Sequence, residues 1–120
     1  MNREIIFKAK RKDNGEWVEG YYQKRFDLDG SEQHLIFWSK SYTVWEYAEI
    51  NPDTLCQYTG MEDKNGKKIW ENDLLGHKLN RVEFLNGTYC TNGDRSLFFE
   101  AKTKEVIGNI FDNPELLEVE

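Results

Sequence analysis

Apolar and polar residues alternate in short runs along this chain, and turn signals cut the runs at close intervals. Ile5, Phe7 and Ala9 interleave with Ile6, Lys8 and Lys10, and Trp17, Glu19 and Tyr21 interleave with Val18, Gly20 and Tyr22. A period of two sends successive side chains to opposite faces of a strand, so these runs predict sheets with one buried face. Asn14-Gly15, Asp29-Gly30, Asn65-Gly66, Asn86-Gly87 and Asn92-Gly93 punctuate the pattern. Such pairs readily take the positive φ angles that tight hairpins need. No segment sustains an apolar stripe at helical spacing across three turns, so the chain reads as all-β, that is, mainly β.

The most apolar region is Leu35-Ile36-Phe37-Trp38 followed by Tyr42 to Tyr47, with Ser39, Lys40 and Ser41 between them. This spacing predicts a hairpin or a bent strand. Pro52 then interrupts the chain, and Asn51-Pro52-Asp53 predicts a turn or a short helical start. The boundary separates an N-terminal β hairpin or sheet subdomain, residues 1–53, from residues 54–120. In the second half, strands are expected at Asn72–Leu75, Val82–Phe84, Thr88–Cys90, Leu97–Ala101 and Val106–Phe111. Five short strands in roughly 60 residues fit a small barrel. The polar-Asp-apolar-apolar opening at Asn72 resembles the first strand of SH3-like barrels. Asp112-Asn113-Pro114-Glu115 predicts a closing helical turn, with Asp112 or Asn113 as its cap and Pro114 at its first position.

Four Trp, six Tyr and seven Phe make up 14% of the 120 residues. That content favours strands and argues against the disorder suggested by a mean hydropathy of -0.80 and 32% charged residues. The formal net charge is -6. Residues 1–30 hold seven Lys/Arg against six Asp/Glu, and residues 91–120 hold three against seven. An acidic surface repels phosphate, so direct nucleic-acid binding is not expected. Cys56 and Cys90 make no disulfide framework, and no apolar run reaches membrane-spanning length. A cytoplasmic protein with reduced thiols and no membrane association is the expectation.

The stretch from Gln57 through Asn65-Gly66 and Trp70 to Leu75, together with Val106 to Leu117, resembles the YopX-like phage and prophage proteins. Arg3 to Lys10 and Trp17-Val18-Glu19-Gly20 resemble that family's N-terminal strand pair, while residues 24–50 match least. Asn72 stands where the family pattern has glycine before the aspartate, and asparagine also tolerates the left-handed conformation. The resemblance implies an SH3-like barrel in the C-terminal half, a phage or prophage origin acting in a host cytoplasm, and self-association. It implies no reaction.

Glu62, Asp63, Glu71 and Asp73 cluster around the central stretch, but carboxylates at turns ordinarily solvate a hairpin or bond to backbone amides. Glu62 and Asp63 are expected to solvate theirs beside Lys64, Lys67 and Lys68. His34, His77, Cys56 and Cys90 lack the close pairing of zinc sites. They equally lack the arrangement of a nucleophile with its base, so neither enzyme activity nor a cofactor is expected. Aromatics are the stronger signal, because Trp and Tyr bury large area while keeping a polar handle. Trp70, placed where a strand end would present it outward, is the leading binding candidate, with Tyr58, Glu71 and Asp73 beside it. Phe37, Trp38, Val44 and Trp45 are the candidate homo-oligomer interface, since exposed strand edges pair with other chains.

Three functions follow. The first is a non-enzymatic, self-associating module that binds a host or phage protein. The second is a small-ligand or nucleotide-binding barrel, with Tyr58 or Trp70 stacking on the ligand. The third is an acidic inhibitor of a host nucleic-acid-binding or defence protein.

Overall fold

The computed structural model describes residues 4–76, 80–91 and 95–117; His77 and the Asn92-Gly93 turn lie outside them. The fold is mainly β, and the chain divides into two compact units, Met1–Gln57 and Tyr58–Glu120.

The first unit is an antiparallel sheet of β1 (Phe7–Lys10), β2 (Trp17–Phe26), β3 (Glu32–Ser39) and β4 (Trp45–Glu49), in the order β4-β3-β2-β1. Alternation sets its register. Tyr21 faces Phe37 and Phe37 faces Tyr47, while Tyr22 faces Ile36 and Ile36 faces Ala48. The second row points inward, where Ala9, Ile36 and Ile50 form the core with Phe7, Val18, Tyr22, Trp38 and Leu55 packed against it. Each fully buried isoleucine there contributes about 1.5–3 kcal/mol. Lys12 N–H bonds to Glu49 O at 3.0 Å and Asn51 N–H to Lys10 O at 2.9 Å. These bonds curl the end of β1 onto the end of β4. A 3-10 turn at Pro52–Thr54 follows, with Asn51 Oδ1 accepting from Asp53 N–H. The next residues, Cys56 and Gln57, open β5 (Cys56–Glu62) and pair with β1.

In the second unit the rest of β5 pairs with β6 (Lys68–Trp70), and β7 (Asp73–Leu75) pairs with β11 (Val106–Asn109). Between them in sequence come β8 (Val82–Leu85), β9 (Thr88–Thr91) and β10 (Arg95–Ser96), which make a three-stranded sheet. Asn86 and Gly87 both have positive φ, as the two-residue hairpin between β8 and β9 requires. The core is Ile69, Leu75, Val82, Tyr89, Leu97 and Ala101, with Met61 and Val106 against it.

No closed barrel forms among the described residues. The strand expected at Leu97–Ala101 is instead a helical turn, α1 (Leu97–Glu100), with Ala101 N–H bonding back to Leu97 O. Leu97 and Ala101 therefore share one buried face, and the residues between them do not. On its side away from β8, the conversion leaves β9 only the two-residue β10 to pair with, and a single bridge, Leu74 to Arg81, joins β7 to the β8 side. A short apolar run fits either period, and here packing selected the helix. The closing turn is a 3-10 helix at Pro114–Leu117, with Leu116 N–H bonding to Asn113 O. No helix among the described residues is long and apolar enough to cross a membrane.

Candidate functional site

The central stretch, where the binding candidates were placed, builds the interior of the second unit. Trp70 is 4% exposed and Tyr58 is 6% exposed, and their rings meet at 5.5 Å across the β5–β6 pair. Trp70 is therefore not presented outward. The register between Tyr58 and Glu62 carries a bulge, and Gly60 within it has a φ of 85°. The buried Thr59 hydroxyl donates to Ile69 O at 2.8 Å. Asp73 is also buried, and its Oδ2 accepts the Trp70 N–H at 2.8 Å. Asn72, with φ of 71°, supplies the left-handed turn residue between them. Its Oδ1 accepts from Arg81 Nε at 3.2 Å and Nη2 at 2.9 Å. Glu71 is half-buried. The structure thus brings Tyr58, Trp70 and Asp73 together, but as packing and turn chemistry.

Asp63 does not solvate its hairpin. It is 7% exposed, its Oδ1 accepts from Asn65 N–H at 2.8 Å and Lys67 N–H at 3.0 Å, and its Oδ2 accepts from Val106 N–H at 2.9 Å. Burial pushes the Asp63 carboxyl up, but the backbone donors of Val106, Lys67 and Asn65 and the Lys67 charge outweigh it. The net displacement is below the usual carboxylate range. The Asp-x-Asn-Gly spacing announces the local half of this arrangement as a turn; nothing in the sequence announces Val106.

A cluster of exposed aromatics lies on the outer face of the first unit's sheet, while Phe84, Phe98 and Phe99 are exposed in the second unit. Phe37 and Tyr47 are cross-strand neighbours with rings 5.3 Å apart, and Tyr21 meets Trp45 at 6.0 Å. Tyr21, Trp45 and Tyr47 are each more than half exposed. The Arg25 guanidinium sits over the Tyr47 ring at 5.9 Å. Of the four interface candidates, Phe37 and Trp45 join this face. Val44 is exposed in the turn before β4, where its carbonyl accepts from Lys40 N–H at 2.8 Å. Trp38 departs from the expectation. It lies in the inward row of β3 and packs against the core. Its remaining surface, with Arg11, Trp45, Glu46 and Tyr47, lines an open depression of about 480 Å³ along the β4 edge. Tyr47 closes the apolar stretch from Leu35 to Tyr47 that suggested the interface, whereas Tyr21 was not a candidate, since it meets Phe37 and Trp45 only through strand register.

The YopX protein family matches residues 6–118, nearly the whole chain. The chain belongs to that family. It is also similar to protein EF1440 from Enterococcus faecalis, known from a crystal structure. The likeness has a TM-score of 0.62 and 26% identity, over 98% of this chain and 100% of that one. No curated protein matches.

In this YopX family member, Cys56 and Cys90 are both buried. His34 shares a short 2.6 Å hydrogen bond with the Tyr22 hydroxyl, and its Nε2 lies 3.4 Å from Glu32. No group of three or more His, Cys, Asp or Glu among the described residues is arranged to hold a metal ion.

Proposed function

We propose that this YopX family chain is a non-enzymatic protein-interaction module, a phage or prophage accessory protein. It self-associates and docks onto a host or phage protein through the outer aromatic face of its N-terminal sheet. One observation carries the reading: Tyr21 with Trp45 and Phe37 with Tyr47 make two ring pairs on one sheet face, with three of the four residues more than half exposed. Rigid aromatic side chains held by a sheet bury large area at low conformational cost, which is the property shared by interface hot spots. The same reading moves the site away from the central stretch, because Tyr58 and Trp70 spend their ring faces on each other and on the core.

Sedimentation velocity tests it. The wild-type chain is expected to sediment as a concentration-dependent oligomer at micromolar concentration, and Tyr21→Ser with Phe37→Ser is expected to sediment as a monomer. A wild-type chain that is monomeric throughout, with no response to these substitutions, counts against the reading.

A further inference from the structure

The inward row of the N-terminal sheet carries a second arrangement of side chains, on the face opposite the aromatic cluster. Tyr22 and Ile36 are cross-strand partners in that row, and His34 and Glu32 follow Ile36 at intervals of two along β3. The Tyr22 hydroxyl and His34 Nδ1 are 2.6 Å apart, and the two rings lie within 9° of parallel. His34 Nε2 lies 3.4 Å from Glu32 Oε2, and the other oxygen of that carboxylate lies 3.2 Å from Lys24 Nζ. A phenol, an imidazole and a carboxylate thus form one chain. Tyr22 joins it only through the register of β2 and β3, so the order of residues in the sequence does not show a nucleophile beside a base.

The chain of groups lies at an end of the inward row. β1 ends opposite Gly20 and β4 opposite Leu35, so Tyr22 and Lys24 lie past the first, and Glu32 and His34 past the second. Phe7 packs against the Tyr22 ring at 5.7 Å, Tyr22 and His34 are half-buried, and Glu32 is exposed. The core therefore holds the ring while the hydroxyl reaches toward His34 and the exposed carboxylate. A hydroxyl within reach of a base that a third group orients is the arrangement of an activated nucleophile. Nδ1 of a neutral His34 accepts from the Tyr22 hydroxyl when the ring proton is on Nε2, and Glu32 faces that nitrogen. Lys24 first, and His34 after it, hold the Glu32 carboxyl below its usual range, so it is ionised and balances a charge gained by the imidazole.

We propose that Tyr22 is an acyl-acceptor site, with His34 as its general base, for a small acyl group delivered as an activated ester. The Tyr22 oxygen bonds to the ester carbonyl carbon while its proton passes to His34 Nδ1. The bond from that carbon to the leaving oxygen then breaks, the leaving oxygen keeps the electron pair, and it takes the proton from His34. The products are a tyrosyl ester and the released alcohol or phenol. Glu32 is a positioning residue that sets the His34 tautomer and faces the charge the ring gains. The site uses none of the residues of the docking face.

The probe is p-nitrophenyl acetate, added in small excess to the full chain, with acid quenching and peptide mass mapping of every tyrosine. The fully exposed Tyr42, with no base beside it among the described residues, is the internal reference. Tyr22 is expected to acetylate at least about tenfold faster than Tyr42, although it is the less exposed of the two. His34→Gln keeps an acceptor for the hydroxyl but cannot take its proton, and is expected to bring Tyr22 to the rate of Tyr42 or below. Glu32→Gln is expected to slow Tyr22 severalfold at an unchanged thermal midpoint, and Glu32→Asp to recover part of the rate. Labelling that follows exposure, with Tyr42 ahead of Tyr22, overturns the proposal. So does an unchanged Tyr22 rate in a folded His34→Gln protein. If that variant fails to fold, an unchanged rate in Glu32→Gln, altered only at an exposed position, overturns it instead.

Discussion

Asp63 and Val106, 43 residues apart, are joined by a 2.9 Å hydrogen bond from the Val106 amide to the Asp63 carboxylate. One carboxylate thus closes its own hairpin through Asn65 and Lys67 and fastens that hairpin to the start of β11. Lys64 N–H to Lys104 O and Asn65 Nδ2 to Glu105 Oε2 run alongside. The β5–β6 turn is therefore clasped to a strand distant in sequence.

Replacing Asp63 removes an acceptor from three backbone donors at once. An unsatisfied buried donor costs about 1–3 kcal/mol, and partial access of water to this loop lowers the total. Asp63→Ala is expected to cost about 2–3 kcal/mol in a denaturant titration, and Asp63→Asn about half of that. A loss below about 0.5 kcal/mol in both would show that the clasp is ornamental.

The same carboxylate sets a pH dependence. Its pKa is lower in the folded chain than in the unfolded one, so its contribution to stability is complete above the ordinary aspartate value of about 4. It is lost as pH falls through the lower folded value. Unfolding midpoints measured downward from neutral pH are expected to drop across this acid window in the wild type, and less steeply in Asp63→Asn. Parallel curves for the two proteins would remove Asp63 from the explanation.

Gly20 lies on the inward face of β2, and a Cβ there would collide with the backbone carbonyl of Phe37 on β3 and press on Ile36 Cγ2 at 3.2 Å. A strand-pairing carbonyl has little freedom to withdraw, so Gly20→Ala is expected to cost about 1–3 kcal/mol. The gain in backbone entropy that normally accompanies Gly→Ala is smaller than this. A thermal midpoint at or above that of the wild type would contradict the packing described for β2 and β3.

Particular residues show how far the sequence could be read. The alternation around Tyr21, Ile36 and Tyr47 specified the N-terminal sheet, because a one-residue slip would turn Ile36 outward. The left-handed turn survived at Asn72 because asparagine tolerates positive φ there. Leu97-Phe98-Phe99-Glu100-Ala101 was misread because a run that short satisfies both periods, and only burial of Leu97 with Ala101 decides between them. Trp70 was misread for a related reason. Aromatic enrichment marks cores and binding faces alike. What distinguishes them is which neighbours cover the ring, and those neighbours, Tyr58 among them, meet Trp70 only through strand register.

Two tryptophans turn that distinction into a measurement. Trp70 is 4% exposed and Trp45 is 53% exposed. Trp70→Ala vacates a core position against Tyr58 and is expected to cost about 3–5 kcal/mol, enough to threaten folding of a unit this small. Trp45→Ala removes a ring that touches Tyr21 on an outer face and is expected to change stability by less than about 1 kcal/mol. It should nevertheless abolish self-association in sedimentation velocity. Reading stability and association together on both variants therefore locates the site. Loss of association in a Trp45→Ala protein of unchanged stability assigns it to the N-terminal sheet. Intact association in that variant, alongside a stable Trp70→Ala protein that has lost it, would return the site to the central stretch.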